Sequence, residues 1–304
     1  MTATGNGGGG FLRPLVMSGP AGDGGTPGRG FERGDWVVLP DQSLGALVHA
    51  RPPEVTGSQW NTAIRTRYDF VACDRRTGRP VFAVELSDPD TTGTGRSGGA
   101  ERADRMRTAV CDAVGLEVLR IVSPILRPAG VGRRIVEYLL DARSYATAVR
   151  DAVDPTDPLA EPAVGYRDII GRLPDGRDGF VNDLGALARA AAVDAYVSRR
   201  LTDPILRGLY VHWVDGPAEG WGWVEVGEGR CLFERVLLWP HRFSCGVPPE
   251  RLAEDLAAVA IGERLRSADP VPDDRAEVAR RFTELGRRRA ELVGGFAFDH
   301  LSFG

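Results

Sequence analysis

The chain has 304 residues, of which 42% are hydrophobic and 26% are charged, a balance that excludes disordered and fibrous proteins. All 38 basic residues are arginine, which excludes mechanisms that require a lysine, such as Schiff-base formation and the phosphate-binding lysine of a P-loop. The net charge of −4 argues against a protein that coats nucleic acid non-specifically. Residues 31–150 hold 17 Arg and 15 acidic residues, whereas residues 151–304 hold 19 and 26, so we expect any polyanion-binding face in the first half.

No segment of the sequence resembles a secretion signal or a membrane span. The first thirty residues lack a basic cluster with an apolar core behind it, and no uncharged apolar run approaches the ~18 residues of a membrane helix. The four cysteines show neither CxxC spacing nor the density of a disulfide scaffold. We therefore expect a cytoplasmic protein without membrane association; the sequence leaves the oligomeric state open.

Composition and periodicity divide the chain into four segments. Residues 1–30 are rich in glycine and without periodicity, which indicates a disordered leader. Residues 31–148 alternate strand-like and helix-like runs and are expected to form an α/β domain. Residues 149–165 are rich in proline and acidic residues, as linkers are. Residues 166–304 predict an α+β domain with a short antiparallel meander and amphipathic helices.

The individual elements follow from the spacing of apolar residues. In the first half, strands are predicted at residues 35–41, 67–74, 79–86 and 117–122. Apolar positions from Met106 to Val114 recur at helical spacing, and Gly115 ends that helix before another one over residues 131–143. The second half predicts a helix, three strands and two further helices, at residues 182–201, 209–214, 222–226, 232–239, 249–266 and 275–293.

The chemistry of the first half is concentrated in residues 67–86, RYDFVACDRRTGRPVFAVEL. If the turn is centred on Thr77, paired residues have numbers that sum to 154, and Asp69 lies opposite Glu85 on one face. Opposed carboxylates repel each other, so this pair favours a divalent cation such as Mg²⁺ between them. A bulged hairpin, or a shift by one residue, would instead leave the two acids solvated at a strand edge, and the residues alone do not decide between these interpretations.

Several short motifs follow one another in a characteristic order: Asp69 in YDFVACD, Glu85 in VFAVEL, Asp104 and Arg107 in RADRMR, and Gly115 and Arg120 in GLEVLRI. This order, over roughly residues 35–125, resembles the PD-(D/E)XK restriction-endonuclease-like superfamily. Within the superfamily, the similarity is to a bacterial branch of unknown role that is related to very-short-patch-repair-type endonucleases.

The resemblance implies a restriction-endonuclease-like mixed sheet flanked by helices. It also implies a Mg²⁺ ion held by Asp69, Glu85 and the main-chain oxygen of Leu86, which activates a water for attack on a phosphodiester of DNA. The sequence departs from the family at Ser87, where the motif has Lys or, in this branch, often Asp. The histidine that often follows is absent.

The arginines near the motif each allow two interpretations. By the same pairing rule, Arg67 faces Ser87 and could steady the scissile phosphate in place of the missing lysine, or it pairs with an acid at the strand end. Arg75 and Arg76 at the hairpin tip could grip a backbone phosphate, or they belong to a solvated turn. Arg107 could likewise touch a phosphate or orient the acidic site.

For the charged residues on the predicted helix and on the strand that follows it, the alternative to a functional role is a structural one. Asp104 and Arg107 are three residues apart on the helix face opposite Met106, where an i,i+3 pair on a solvated face is common. Arg120 lies in a predicted buried strand, and we expect it to pair with an acid of the site rather than with DNA.

The sequence thus predicts a divergent, Mg²⁺-dependent nuclease that acts on DNA. The alternative is a catalytically inactive relative that binds nucleic acid or a protein partner through the same fold. In the second half, four of the six tryptophans fall within residues 213–239, where they could stack bases or bind a small ligand. A meander core built from large aromatics is the favoured interpretation. A protein partner for residues 166–304 is also compatible with the sequence.

Overall fold

The computed structural model describes much of the chain, namely residues 11–15, 30–89, 98–152, 170–172, 178–180, 184–267 and 270–293. Helices and strands alternate through most of these residues, and the strands pair both in parallel and in antiparallel fashion. The prediction of an α/β protein with a mixed sheet is therefore confirmed.

Contacts between residues divide the chain into two compact units. The first comprises Met1–Leu140 and Pro240–Phe243, and the second comprises Asp141–Trp239 and Ser244–Gly304. The boundary thus falls inside a helix, whereas the sequence placed it in a linker over residues 149–165. Most of that linker lies outside the described residues.

Five strands of the first unit form a sheet in the order β1-β2-β3-β4-β5. They are β1 (Phe31–Arg33), β2 (Trp36–Ser43), β3 (Arg67–Asp74), β4 (Pro80–Ser87) and β5 (Glu117–Val122). The neighbours from β1 to β4 are antiparallel, and β4 and β5 are parallel. The helices are α1 (Leu44–Leu47), α2 (Gly57–Ala63), α3 (Gly98–Val114) and α4 (Arg133–Ala152), the last preceded by a π-helical turn at Pro128–Gly132.

Local sequence signals explain where helix α2 begins and where helix α3 ends. Helix α2 begins with a capping box, in which the Thr56 side chain accepts the Gln59 N–H and Gln59 accepts the Thr56 N–H in return. Helix α3 ends at Gly115, whose φ of +73° is the left-handed conformation that glycine adopts most easily. This is the position at which the sequence predicted the end of the helix.

The core of the first unit lies between the β3–β4 hairpin and α3. Val71 and Ala83 are fully buried, and they cluster with Val110 and Val114 of α3. The same face of the hairpin carries the two acids of the predicted site, because side chains alternate along a strand.

Residues 11–15 are part of this unit rather than of a disordered leader. Leu12 is buried and bridges Val48, and the N–H of Leu15 donates to the carbonyl of Gly78 at 2.8 Å. Residues 1–10 and 16–29 of the predicted leader lie outside the described residues.

The second unit contains the predicted antiparallel meander, formed by β8 (Arg207–His212), β9 (Ala218–Gly227) and most of β10 (Arg230–His241). The short strand β11 (Asp273–Asp274) pairs with β10, and β6 (Ile170–Arg172) pairs with β7 (Asp178–Phe180). The helices are α5 (Ala186–Val197), α6 (Pro249–Arg266) and α7 (Arg275–Arg287), followed by a 3₁₀ turn at Arg289–Glu291.

Two features hold the second unit together. Helix α6 packs directly on β9 at Gly220, where a Cβ atom would overlap the carbonyl group of Ala253. On the opposite side, the ring of Phe282 from α7 lies 4.9 Å from that of Trp221 and 5.0 Å from that of Trp223. The predicted aromatic core of the meander is confirmed for these two tryptophans. Among the described residues, no helix is long and apolar enough to cross a membrane.

Candidate functional site

The register of the β3–β4 hairpin follows the predicted rule over most of its length. The pairs have numbers that sum to 154: Phe70 with Val84, Val71 with Ala83, and Ala72 with Phe82. A bulge after Ala72 then places Cys73 opposite Pro80, whereas the rule placed it opposite Val81. Because the bulge lies at the tip, the register toward Asp69 and Glu85 is unaffected.

Asp69 is attached to the neighbouring strand through its side chain. Its Oδ2 accepts the main-chain N–H of Leu86 at 2.6 Å. Burial raises the pKa of Asp69, the hydrogen bond from Leu86 opposes that rise, and the negative charges of Glu85 and Asp41 add to it. Within the described residues, no arginine forms an ion pair with Asp69. The pair of acids predicted from the sequence therefore interacts electrostatically, with one member lacking a cation.

Glu85 takes part in a closed ring of charges. Its Oε2 accepts hydrogen bonds from Nη1 of Arg107 at 3.0 Å and from Nε of Arg120 at 3.3 Å. Asp104 completes the ring, since its Oδ1 accepts Nη2 of Arg107 at 2.5 Å and Nη2 of Arg120 at 2.6 Å. We call Glu85, Asp104, Arg107 and Arg120 the ion-pair ring.

The ion-pair ring is neutral and shielded from solvent. Its side chains are only 11% to 28% exposed. Burial raises the pKa of Glu85, although Arg107 acts in the opposite direction. Burial alone would lower the pKa of Arg107, but Glu85 and Asp104 raise it above its ordinary value. The two negative and two positive formal charges of the ring cancel, so no positive charge of the ring remains to balance the negative charge of Asp69.

The ring decides two of the sequence alternatives. Asp104 and Arg107 do not form a pair on a solvated face, because Asp104 also contacts Arg120 of β5 and Arg107 also contacts Glu85 of the hairpin. Arg120 pairs with the acids of the site, as expected. Arg107 already donates from Nη1 to Glu85 and from Nη2 to Asp104, so a phosphate would compete with two acids for its guanidinium.

Arg67 contacts an acid that the sequence analysis did not single out. Its Nη2 lies 2.6 Å from Oδ2 of Asp41, and its Nε donates to Oδ1 at 2.7 Å. Both side chains are exposed, as in the expected pair at a strand end. Asp41 itself has a φ of 52°, in the left-handed region that Asp tolerates better than most residues. No motif marked this position.

Ser87 ends β4 with an unsatisfied oxygen. Its carbonyl accepts the N–H of Ser123 at 2.9 Å, but its buried Oγ has no hydrogen-bond partner in the described part of the chain. A buried hydroxyl without a partner calls for an explanation, such as a bound ion or water. Together with the carboxylate of Asp69 it provides hard oxygen donors, the type that Mg²⁺ prefers.

The metal ligands predicted from the sequence are two carboxylates, Asp69 and Glu85, and the main-chain oxygen of Leu86. Within the described residues, no group of three or more His, Cys, Asp or Glu side chains is placed to hold a metal ion. The predicted set is smaller than such a group, because one of its three ligands is a main-chain atom. The oxygen donors and the leftover negative charge fit a divalent cation, and the two arginines on Glu85 compete with it.

The hairpin tip presents the remaining arginines to solvent. Oδ1 of Asp74 accepts the N–H and the hydroxyl of Thr77, both at 2.7 Å, and thereby shapes the turn. Arg75 lies 2.9 Å from Glu32, and Arg76 is exposed. Their proposed contact with nucleic acid stays a prediction.

A family model described as "Protein of unknown function (DUF2726)" matches residues 50–137. No curated protein and no solved structure matches the chain. The matched segment contains Asp69 and the whole ion-pair ring, so it coincides with the candidate site.

Proposed function

We propose that the first unit is a divergent nuclease that hydrolyses phosphodiester bonds of DNA with the help of Mg²⁺ at Asp69 and Glu85. The observation that carries this proposal is the charge imbalance at the site. Asp69 is half-buried, its pKa is raised by burial and by the charge of Glu85, and it has no ion pair within the described residues. Buried carboxylates normally have a cationic partner, and a divalent ion would provide one.

The groups of the chain that would hold the ion are the carboxylates of Asp69 and Glu85 and the main-chain oxygen of Leu86. When bound, Mg²⁺ supplies a water of lowered pKa and stabilises the negative charge that develops on the phosphate. The Leu86 N–H fixes one oxygen of Asp69. Arg107 and Arg120 both contact Oε2 of Glu85, and no hydrogen bond to its Oε1 occurs in the described residues. The arginines thus orient Glu85 and leave its other oxygen available.

The role of the missing lysine would have to be taken by other groups. Ser87 carries no charge, and the guanidinium of Arg67 is bound to Asp41. The buried Oγ of Ser87 can donate or accept one hydrogen bond, which suits a water or a phosphate oxygen next to Leu86. Arg67 uses its Nε and Nη2 on Asp41, so that within the described residues its Nη1 is the nitrogen left to donate to a phosphate.

The proposal is tested with the full chain on supercoiled plasmid and single-stranded DNA, with Mg²⁺, Mn²⁺ or EDTA. We expect metal-dependent cleavage that is lost in Asp69→Asn, a variant that keeps an oxygen acceptor for the Leu86 N–H. Asp35→Asn is the matched control, since it neutralises an exposed acid of the same unit. Calorimetric titration with Mn²⁺ gives a readout independent of activity, and binding that is equal in wild type and Asp69→Asn contradicts the proposal.

The ion-pair ring favours a second candidate, a relative that binds nucleic acid without cutting it. Two guanidinium groups already neutralise Glu85 and compete with a divalent ion for its carboxylate. In this case the protein binds DNA equally well in EDTA and in Mg²⁺, and neither the wild type nor Asp69→Asn cleaves it. A fluorescence anisotropy titration with labelled DNA separates the two candidates.

A further inference from the structure

The second unit contains a cavity of about 590 Å³ beside β10. Sites for small molecules typically measure about 300–1,000 Å³, so the volume suits a ligand with one or two rings. The residues that line it include Trp213, Trp239, Arg235 and Arg288. Trp213 and Trp239 thus differ from the other two tryptophans of the meander, which lie in its core.

The base of this cavity is a buried carboxylate with a full set of partners. Glu219 is 0% exposed. Its Oε2 accepts Nε1 of Trp213 at 2.7 Å and Nη2 of Arg235 at 2.9 Å, and its Oε1 accepts Nε1 of Trp221 and Nε of Arg235. Because all its partners are side chains, Glu219 fixes the orientation of Trp213 and of Arg235 before any ligand arrives.

Arg235 faces the cavity from β10. It alternates with Leu237 and Trp239, so the three side chains share one face of the strand. The Arg235 side chain is 47% exposed, and its Nη1 donates no hydrogen bond within the described residues. A rigidly held guanidinium with one unused edge is suited to an anionic oxygen.

Arg288 borders the same cavity from the other side. Its guanidinium carbon lies 4.2 Å from the ring centroid of Trp213, and its Nη2 lies 2.6 Å from Oε2 of Glu291. In the described part of the chain its Nη1 makes no hydrogen bond. Arg288 therefore presents both a stacked plane and a free donor edge.

We propose that this cavity binds a planar aromatic group that carries an anion, with the chemistry of a nucleobase and its phosphate. The ring stacks on the indole and guanidinium planes, and the anion accepts hydrogen bonds from the unused edges of Arg235 and Arg288. Glu219 and Glu291 are each matched by one of these arginines, and Asp215 at the border is the remaining acid. The anion is therefore held by hydrogen bonds at the two guanidinium groups rather than by net charge.

Such a group could come from a free nucleotide or from a single-stranded nucleic acid. The inference does not depend on the proposed metal site, because its residues all lie in the second unit. The test is a titration of the full chain in EDTA, monitored by tryptophan fluorescence and by calorimetry. The probes are nucleoside monophosphates, the matching nucleosides, inorganic phosphate and a ten-residue oligothymidylate.

We expect saturable binding of a nucleoside monophosphate that is at least tenfold tighter than that of phosphate or of the nucleoside. Arg288→Gln and Trp239→Leu should each weaken it by tenfold or more. Arg280→Gln is the control, since Arg280 lies on α7 and is 75% exposed. Arg235 is not replaced alone, because its loss would leave Glu219 buried without a cation.

Each outcome bears on the inference. Tighter binding of the oligonucleotide than of the monophosphate identifies a nucleic acid strand as the source, and the reverse order identifies a free nucleotide; both support the proposed chemistry. The inference is overturned by the absence of saturable binding of every probe. It is also overturned if phosphate alone binds as tightly as the nucleotide, or if Arg288→Gln and Trp239→Leu, shown by circular dichroism to be folded, bind like the wild type.

Discussion

The carboxylate of Asp69 and the main-chain N–H of Leu86 form a hydrogen bond of 2.6 Å between β3 and β4. This bond attaches the acid of one strand to the residue that follows Glu85 on the other. It therefore holds two negative charges near each other, and the pKa of Asp69 is raised by its burial first and then by this repulsion. Asp69 has no ion pair within the described residues, and a half-buried carboxylate that is held beside a like charge in this way destabilises the protein and is typical of binding sites.

We predict that Asp69→Asn stabilises the metal-free protein at neutral pH. The pKa of Asp69 is raised in the folded state by burial first and then by Glu85 and Asp41, so the folded protein binds the proton more tightly than the unfolded chain does. The corresponding stability is present below the ordinary pKa of Asp and is lost as the pH rises through the raised value. Urea unfolding in EDTA at pH 7.5 should give a higher midpoint for the variant.

The same experiment at pH 3.5 provides the control for this prediction. There the wild-type carboxyl is largely protonated, and the difference between the two proteins should shrink. Asp35→Asn, at an exposed position, should change the midpoint at neither pH. A variant that is less stable than the wild type at pH 7.5 would show that Asp69 has a cationic partner after all.

Arg120→Leu should lower the free energy of unfolding by about 3 kcal/mol, because it leaves Glu85 and Asp104 buried with only Arg107 between them. Removal of one member of a buried ion pair destabilises far more than removal of an exposed one. Arg280→Ala, whose partner Glu277 is also exposed, should cost less than about 0.5 kcal/mol. Urea denaturation followed by circular dichroism measures both, and similar losses would mean that the ion-pair ring is open to solvent.

The β3–β4 hairpin and the ion-pair ring show which structural features could be predicted from the sequence. Alternation of side chains and a centred turn were enough to predict the pairs of β3 and β4, because burial of one face fixes the register. The bulge that moves Cys73 opposite Pro80 could not be predicted, since nothing in the local pattern distinguishes an inserted residue at a hairpin tip.

The burial of Asp104 and Arg107 could not be predicted from the sequence either. A polar pair on one side of a helix predicts a solvated face, unless a second set of charges from distant residues faces it. Glu85 and Arg120 form that set, and only the packing of α3 on the sheet brings the four together. In the second unit, the alternation of Arg235, Leu237 and Trp239 was a signal of a shared face that the sequence analysis did not use.

Gly220→Ala should destabilise the second unit by about 1–3 kcal/mol or more, because the added methyl group would overlap the main chain of Ala253 on α6. Gly227→Ala is a matched control on the same strand, with no atom within 4 Å of the added methyl group. The control should leave stability within about 0.5 kcal/mol of the wild type. Tryptophan fluorescence during urea unfolding reports on this unit, which contains four of the six tryptophans, and equal midpoints would rule out the close packing of α6 on β9.

The buried acid Glu234 should make the second unit less stable as the pH rises. Burial raises the pKa of Glu234 from 4.5 to about 7, and Arg264, whose Nη1 lies 3.0 Å from Oε1, opposes this rise only in part. A folded-state pKa above the unfolded one gives stability that is complete below pH 4.5 and is lost as the pH rises through about 7. Glu234→Gln should remove this loss, so that its thermal midpoint between pH 5 and pH 8 changes less than that of the wild type.

Glu228→Gln, at an exposed position of the same unit, should follow the wild-type curve. Parallel curves for Glu234→Gln and the wild type would mean that Arg264 keeps Glu234 ionised throughout this range.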